Sequence, residues 1–210
     1  MTDALPEILH RDERIIVLNK PAGLLSVPGI GPEKADCLAA RIAAAFPGAR
    51  IVHRLDRDTS GVIVMALDAE AHRQLSVQFQ DRLVEKKYIA IAAGVIERDE
   101  GSIDLPLRKD LDDPPRQIID HEHGRPAVTR WRVLERGTDR TRVELSPRTG
   151  RSHQLRLHLK TLGHPILGDD LYAPPDVLAM ADRLMLHALS LSIVHPATAD
   201  LRTFQAPCPF

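Results

Sequence analysis

Between two short apolar runs, Ile51-Val52 and Val62-Ile63-Val64-Met65, lie the residues His53-Arg54-Leu55-Asp56-Arg57-Asp58-Thr59-Ser60-Gly61, a stretch that reads as a turn joining two strands. Asp56 sits on it with Arg54 before it and Arg57 directly after. A lone Asp there is ordinary turn chemistry, because its short side chain bonds nearby backbone amides, and Thr-Ser-Gly closes turns in the same way. The flanking arginines add a second reading. Adjacent cations favour the ionised carboxylate, and an ionised carboxylate on a rigid turn can serve as nucleophile or general base.

Other residue types invite chemistry and have a plainer reading beside it. Tyr88 closes a Lys86-Lys87-Tyr88 strand in a chain with only 3% aromatic residues, so it is either a stacking platform or a strand Tyr packing the core. Arg156 lies beside the apolar stripe Leu155, Leu159, Leu162 of a helical segment, as a surface Arg or as one reaching off the helix into a cleft. His53 and His153 are metal-ligand types, but no Cys or third His stands at ligand spacing, so structural hydrogen bonding is the better reading and no metal site is expected. Asp56-Arg57-Asp58-Thr59 is also similar to the D-x-D-x-T pattern of a magnesium-dependent haloacid-dehalogenase-type phosphohydrolase, with Asp169-Asp170 as a later acid pair. That alternative needs an apolar strand leading straight into the first Asp of a parallel α/β core, and here His53-Arg54 intervene.

The elements around these residues are legible in outline. Strands are expected over Ile15-Leu18, Lys87-Ala92, Gly101-Leu107, Ala127-Leu134, Thr141-Leu145, Ala188-Val194 and Leu201-Gln205. Helices are expected over Asp36-Ala45, Ala69-Arg82, from an N-cap at Ser152 to Leu162, and over Pro175-Arg183. Many strands follow one another with no helix between them, which gives an α+β fold on an extended, mostly antiparallel sheet.

With 210 residues the chain can bury a sizeable core as one domain, or as two packed halves. Two cysteines far apart in the sequence suit a reduced compartment, and no signal peptide or apolar run of spanning length is visible, so a cytoplasmic, membrane-free protein is expected. The net charge of -1 hides an uneven distribution. No acid occurs between Glu144 and Asp169, where Arg148, Arg151, Arg156 and Lys160 fall, whereas 97–122 is rich in Asp and Glu. Such asymmetry predicts one basic face, suited to nucleic acid or simply solvated.

The stretch from His53 to Gly61 resembles the signature of the RluA family of pseudouridine synthases. Four further segments resemble the family in the right order: Asn19-Lys20-Pro21-Ala22-Gly23, Glu85-Lys86-Lys87-Tyr88, Gly124-Arg125-Pro126-Ala127-Val128-Thr129, and Thr149-Gly150-Arg151-Ser152-His153-Gln154-Leu155-Arg156-Leu157-His158. Gly163-His164-Pro165-Ile166-Leu167-Gly168-Asp169 completes the set, which spans roughly residues 15 to 205. The resemblance implies the pseudouridine synthase fold, a long bent sheet with flanking helices and a central catalytic cleft. It implies isomerisation of uridine in RNA, with Asp56 as nucleophile or base, Arg156 as the charge that keeps it ionised, and Tyr88 stacked on the uracil. Arg54 is expected to fill the stack vacated by the uridine. Arg57, Lys20, Arg151 and His153 become candidates for contact with RNA.

The family's first strand would begin near Ile8, leaving no room for the S4 module of larger relatives, so a single catalytic domain over residues 1–210 is expected. Its brevity is most similar to members acting on 23S rRNA and on the tRNA anticodon stem-loop, so one or both are the expected partners of what should be a monomer. The chemistry calls for no cofactor. Where relatives place Lys and Arg before the G-K-P-A-x-T segment, this chain has Asp110-Leu111-Asp112-Asp113 and, further on, Asp120-His121-Glu122, which is poorly suited to phosphate.

Overall fold

The computed structural model describes residues 5–210. In chain order its elements begin with β1 (Glu7–Arg11), β2 (Ile15–Lys20), α1 (Leu38–Ala45), β3 (Arg50–Ile51), β4 (Ser60–Ala66) and α2 (Ala69–Gln80). There follow β5 (Glu85–Ala93), β6 (Glu100–Asp104), β7 (Leu107–Lys109), β8 (Gln117–Ile119), β9 (Val128–Arg136) and β10 (Arg140–Pro147). α3 (Gln154–Thr161), α4 (Pro175–Leu178), β11 (Leu186–Val194) and β12 (Leu201–Gln205) close the chain. Contacts divide it into two compact units, one taking in the chain up to Lys86 with His187–Pro209, the other Lys87–Leu186 with Phe210.

In the first unit β2 pairs antiparallel with both β1 and β4, and β3 pairs antiparallel with β4. β11 runs parallel to β4 at its start, and β12 returns antiparallel along β11. All seven residues of β4 are buried, as are Ile15–Leu18 of β2, which explains why both read as continuous apolar runs without alternation. Ile15, Val17, Val62, Val64, Leu75 and Ile193 belong to the core, each large aliphatic contributing about 1.5–3 kcal/mol on burial. Helix α2 begins where Asp68 caps the amides of Glu70 and Ala71.

In the second unit β10 lies between β5 and β9, and β6 pairs with β9, all antiparallel, while β7 and β8 form a separate hairpin. Its core gathers Ala90, Trp131, Val143, Leu145, Leu159 and Leu186, with Tyr88 packed against it. The expected strand Gly101-Leu107 is therefore two strands with a break at Leu105 and Pro106, and β8 lies in a segment with no strand reading. The expected helix Pro175-Arg183 stops at Leu178, because the following chain turns so that the carbonyls of Ala181 and Arg183 pack on the backbone at Gly168. Among the described residues no helix is long and apolar enough to cross a membrane.

Candidate active site

The Asp56 turn is held by its backbone. Lys20, at the end of the buried strand β2, is fully buried, and its Nζ donates to the carbonyls of Pro21, Leu24 and Arg57 at 2.9, 2.7 and 2.9 Å. Ser26 donates from Oγ to the Leu55 carbonyl at 2.7 Å and accepts the Leu55 amide at 3.1 Å. The Gly23 amide donates to the Arg57 carbonyl, and the Thr59 amide to that of Asp56. His53 accepts the Val64 amide at Nε2 and stacks on Phe79 at 4.4 Å. Burial first, and the Lys86 ammonium second, push that imidazole down to about 3, so it stays neutral and keeps the acceptor this bond needs. The loop 19–26 thus cradles the turn, while Leu55 plugs it into the core.

The side chains point to different fates. Asp56 is half-buried, and its carboxylate makes no hydrogen bond or ion pair with a described residue. Arg54 is exposed and likewise unpartnered among the described residues. Arg57 closes its guanidinium on Asp58 at 3.1 Å, so the cation read as Asp56's neighbour engages the next carboxylate along. Lys20 is a correction: an ammonium with no exposed surface, surrounded by three carbonyls, fixes the turn and has no surface to offer RNA.

In the second unit Arg156 is buried on α3. Its Nε lies 2.9 Å from Asp169 Oδ2, Nη2 bonds Asp169 Oδ1, and Nη2 lies 2.7 Å from Asp170 Oδ1. Asp169, itself fully buried, also accepts the amides of Leu171 and Tyr172. The sequence places it there through Gly168, whose φ of +69° and approach to the Arg183 carbonyl, 2.0 Å from where a Cβ would lie, admit no side chain. The guanidinium also lies 5.4 Å from the centre of the Tyr172 ring.

Two motif segments lock together beneath Arg156. Gln154 donates from Nε2 to the Val128 carbonyl and to Thr129 Oγ1, and at Oε1 accepts the Thr149 hydroxyl and the Arg151 amide. His158 meets Thr129 Oγ1 at Nδ1 and the Leu105 carbonyl at Nε2. A carbonyl only accepts, so His158 carries its hydrogen on Nε2 and takes the Thr129 hydroxyl at Nδ1. Burial lowers its pKa, partly offset by Leu105 and Asp104, which keeps that neutral tautomer. With Gln154–Leu159 all buried, α3 is a core helix where a one-sided stripe was expected. Ser152 is not its cap: His153 precedes the first turn in a left-handed conformation, φ 54°, with no side-chain capping bond, and Gln154 instead ties the preceding segment through the Arg151 amide.

The remaining candidates divide. Tyr88 stands on β5 opposite Leu145, half-buried. His153 Nδ1 lies 2.9 Å from the Tyr172 hydroxyl, which accepts the Gln117 amide, so this His ties α3 to the β7–β8 hairpin. Arg151 is half-buried, with Nε on the Pro126 carbonyl at 3.3 Å. The expected basic face is thinner than composition suggests, since Arg156 and His158 are interior, Arg151 is half-buried, and of that run only Arg148 and Lys160 are exposed. His10, Asp12 and His195 also gather closely enough to hold a metal ion. However, His195 Nδ1 accepts the Ala197 amide, which puts its hydrogen on Nε2 facing Asp12, so it is a donor to the carboxylate and offers no lone pair to a cation.

A family model for RNA pseudouridylate synthase matches residues 14–161. The chain is 51% identical over 204 residues to the dual-specificity RNA pseudouridine synthase RluA of Escherichia coli (strain K12), covering 97% of this chain and 93% of that protein. It is 48% identical over 204 residues to the protein of that name from Vibrio cholerae, covering 97% and 83%. The chain belongs to the RluA family of RNA pseudouridine synthases. It is an enzyme that isomerises uridine in RNA to pseudouridine. Among solved structures, human RNA pseudouridylate synthase domain containing 1 superposes with a TM-score of 0.84 at 29% identity, covering 100% of this chain and 86% of that one.

Membership disposes of the phosphohydrolase alternative, and the geometry shows why its pattern misleads. Asp58 is taken up by Arg57, both Asp169 and Asp170 are taken up by Arg156, and the strand before Asp56 is a two-residue β3 antiparallel to β4. In this pseudouridine synthase the late acid pair holds an arginine. Sequence reasoning missed the inward roles of Lys20, Ser26 and Asp169. The one available signal for Lys20 was its place at the end of an unbroken buried strand.

Proposed function

We propose that Asp56 is the nucleophile or base of the isomerisation, that Tyr88 stacks on the uracil and assists removal of the C5 proton, and that Arg156 supplies the charge that keeps Asp56 ionised. The reaction breaks the N1–C1′ bond, turns the uracil, joins C5 to C1′ and returns a proton to N1, so it needs one ionised carboxylate and no redox step. The observation that carries the reading is the Asp56 turn, whose backbone is tied by Lys20 and Ser26 while its carboxylate is left without a partner among the described residues. A preorganised anion of that kind is what attack on a bound nucleoside requires. The clamp of Asp169 and Asp170 on Arg156 supports a guanidinium held in one position within its own unit.

The substrates we propose are the tRNA anticodon stem-loop and a 23S rRNA hairpin, read by shape and by extruded bases. Exposed Arg54 refills the stack, and Arg57, Arg151 and His153 contact RNA at its edges. The enzyme acts in the cytoplasm as a monomer and without a cofactor. Incubating the purified protein with both minimal stem-loops and mapping pseudouridine tests this directly: both are modified, and activity confined to assembled ribosomal particles contradicts it.

A further inference from the structure

Ser60 and Gly61 end the Asp56 turn and open β4 against the start of β11, with Ser60 beside His187 and Gly61 beside Ala188 in parallel register. Both side chains are interior: Ser60 is 4% and His187 1% exposed. Ser60 Oγ lies 2.8 Å from His187 Nδ1, and His187 Nε2 lies 3.2 Å from the Ala206 carbonyl oxygen. Because that carbonyl only accepts, Nε2 holds the ring hydrogen, Nδ1 is the acceptor, and Ser60 donates to it. The link therefore has a direction, from the turn through the imidazole to the residue just beyond β12. A hydroxyl and imidazole so arranged are the first two members of a nucleophilic serine system, but no substrate reaches a pair sealed from solvent, which leaves a mechanical role.

Two further observations make this link stiff and bring it to Asp56. Gly61, at φ +112°, lets the backbones touch: an added Cβ would lie 2.2 Å from the Ala188 carbonyl oxygen. Thr59, the neighbour of Ser60, donates its amide to the Asp56 carbonyl at 3.2 Å, so a single hydrogen-bonded turn separates the carboxylate from the anchored serine. Lys20 and Ser26 hold the turn from the side of the loop 19–26, and His187 holds its exit.

We propose that His187 is a positioning residue for the isomerisation, fixing the exit of the Asp56 turn by accepting the Ser60 hydroxyl and thereby setting the place of the Asp56 carboxylate. The inference rests on Asp56 being the nucleophile or base. Displacement by about 1 Å costs about 100-fold in rate when a reacting group must be aligned.

The test compares His187→Asn with His187→Gln in the full chain. The Asn amide oxygen falls near the former Nδ1 and can take the Ser60 hydroxyl, whereas the Gln amide nitrogen falls near the former Nε2 and can only restore the bond to Ala206. At comparable melting temperatures, His187→Asn keeps kcat within about 5-fold of the native enzyme, while His187→Gln and Ser60→Ala each lose about 30- to 100-fold in kcat with KM little changed. Combining Ser60→Ala with His187→Gln adds nothing further, because both remove one link. Equal kcat for the Asn and Gln variants, following melting temperature alone, overturns the proposal. If neither His187 variant folds, Ser60→Ala, which removes a single oxygen, decides by itself, and full kcat there overturns it. Asp56→Asn run alongside separates the two claims: turnover by that variant removes the premise, whereas its inactivity beside a fully active His187→Gln removes only the positioning role.

Discussion

Arg54 stands exposed one residue before buried Leu55, with no partner among the described residues, so its charge and its plane are both available to RNA. If it refills the stack, Arg54→Lys is slow despite the retained charge, because an ammonium has no plane to stack, and the defect shrinks on a loop whose uridine is already unstacked. Single-turnover rates on stacked and unstacked loops check this, and a fully active Arg54→Lys on the stacked loop leaves only a phosphate contact, about 0.7 of salt slope on a single strand. Lys20 makes the opposite case. Replacing it by Met takes the ammonium from the Pro21 and Leu24 carbonyls, while that of Arg57 keeps the Gly23 amide, which costs about 1–3 kcal/mol, and urea unfolding reads the loss as a lower midpoint. A Lys20→Met protein of native stability contradicts the structural role assigned to it.

Helix α3 and the segment before Asp169 show how elements carry the site in the second unit. Arg156 and Asp169 are 3% and 0% exposed, so Asp169→Asn leaves the buried guanidinium with only Asp170 to balance it and lowers stability by about 1.5–3 kcal/mol in denaturant unfolding. Gly168→Ala acts on the same pair from the backbone, since its Cβ meets the Arg183 carbonyl and forces the Asp169 segment aside. Both outcomes were hidden from the sequence, where Asp169-Asp170 reads as readily as a metal-binding pair. What decides is burial against an arginine thirteen positions earlier, and no local pattern encodes that. The strands β2 and β4 were legible because unbroken apolar runs have few other solutions, and the turn between β3 and β4 because its residue types are turn chemistry. The start of α3 was not. Ser152 is a good cap by type, but Gln154 reaches back to the Thr149 hydroxyl and the Arg151 amide, and this tertiary bonding outweighs propensity.

Over the whole molecule, acid stability is tied to Asp12, which joins the β1–β2 turn to the loop after β11. Burial alone would raise its pKa, but hydrogen bonds from His10, the amides of Arg14 and Ile15, and His195 outweigh it and hold the carboxyl well below the ordinary range. A folded value below the unfolded one contributes stability that is complete above about pH 4 and is lost as pH falls through the lower, folded value. The urea midpoint of the native protein should therefore fall on acidification below about pH 4 more steeply than that of Asp12→Asn, and parallel curves contradict the assignment. The measurement that bears most directly on the account is release of tritium from RNA labelled at uridine C5, a bond that breaks only when pseudouridine forms. Under single-turnover conditions the native enzyme releases tritium in step with modified uridine, and Asp56→Asn releases none while still folding and binding the stem-loop. Substantial release by Asp56→Asn contradicts the placing of the chemistry on the Asp56 turn.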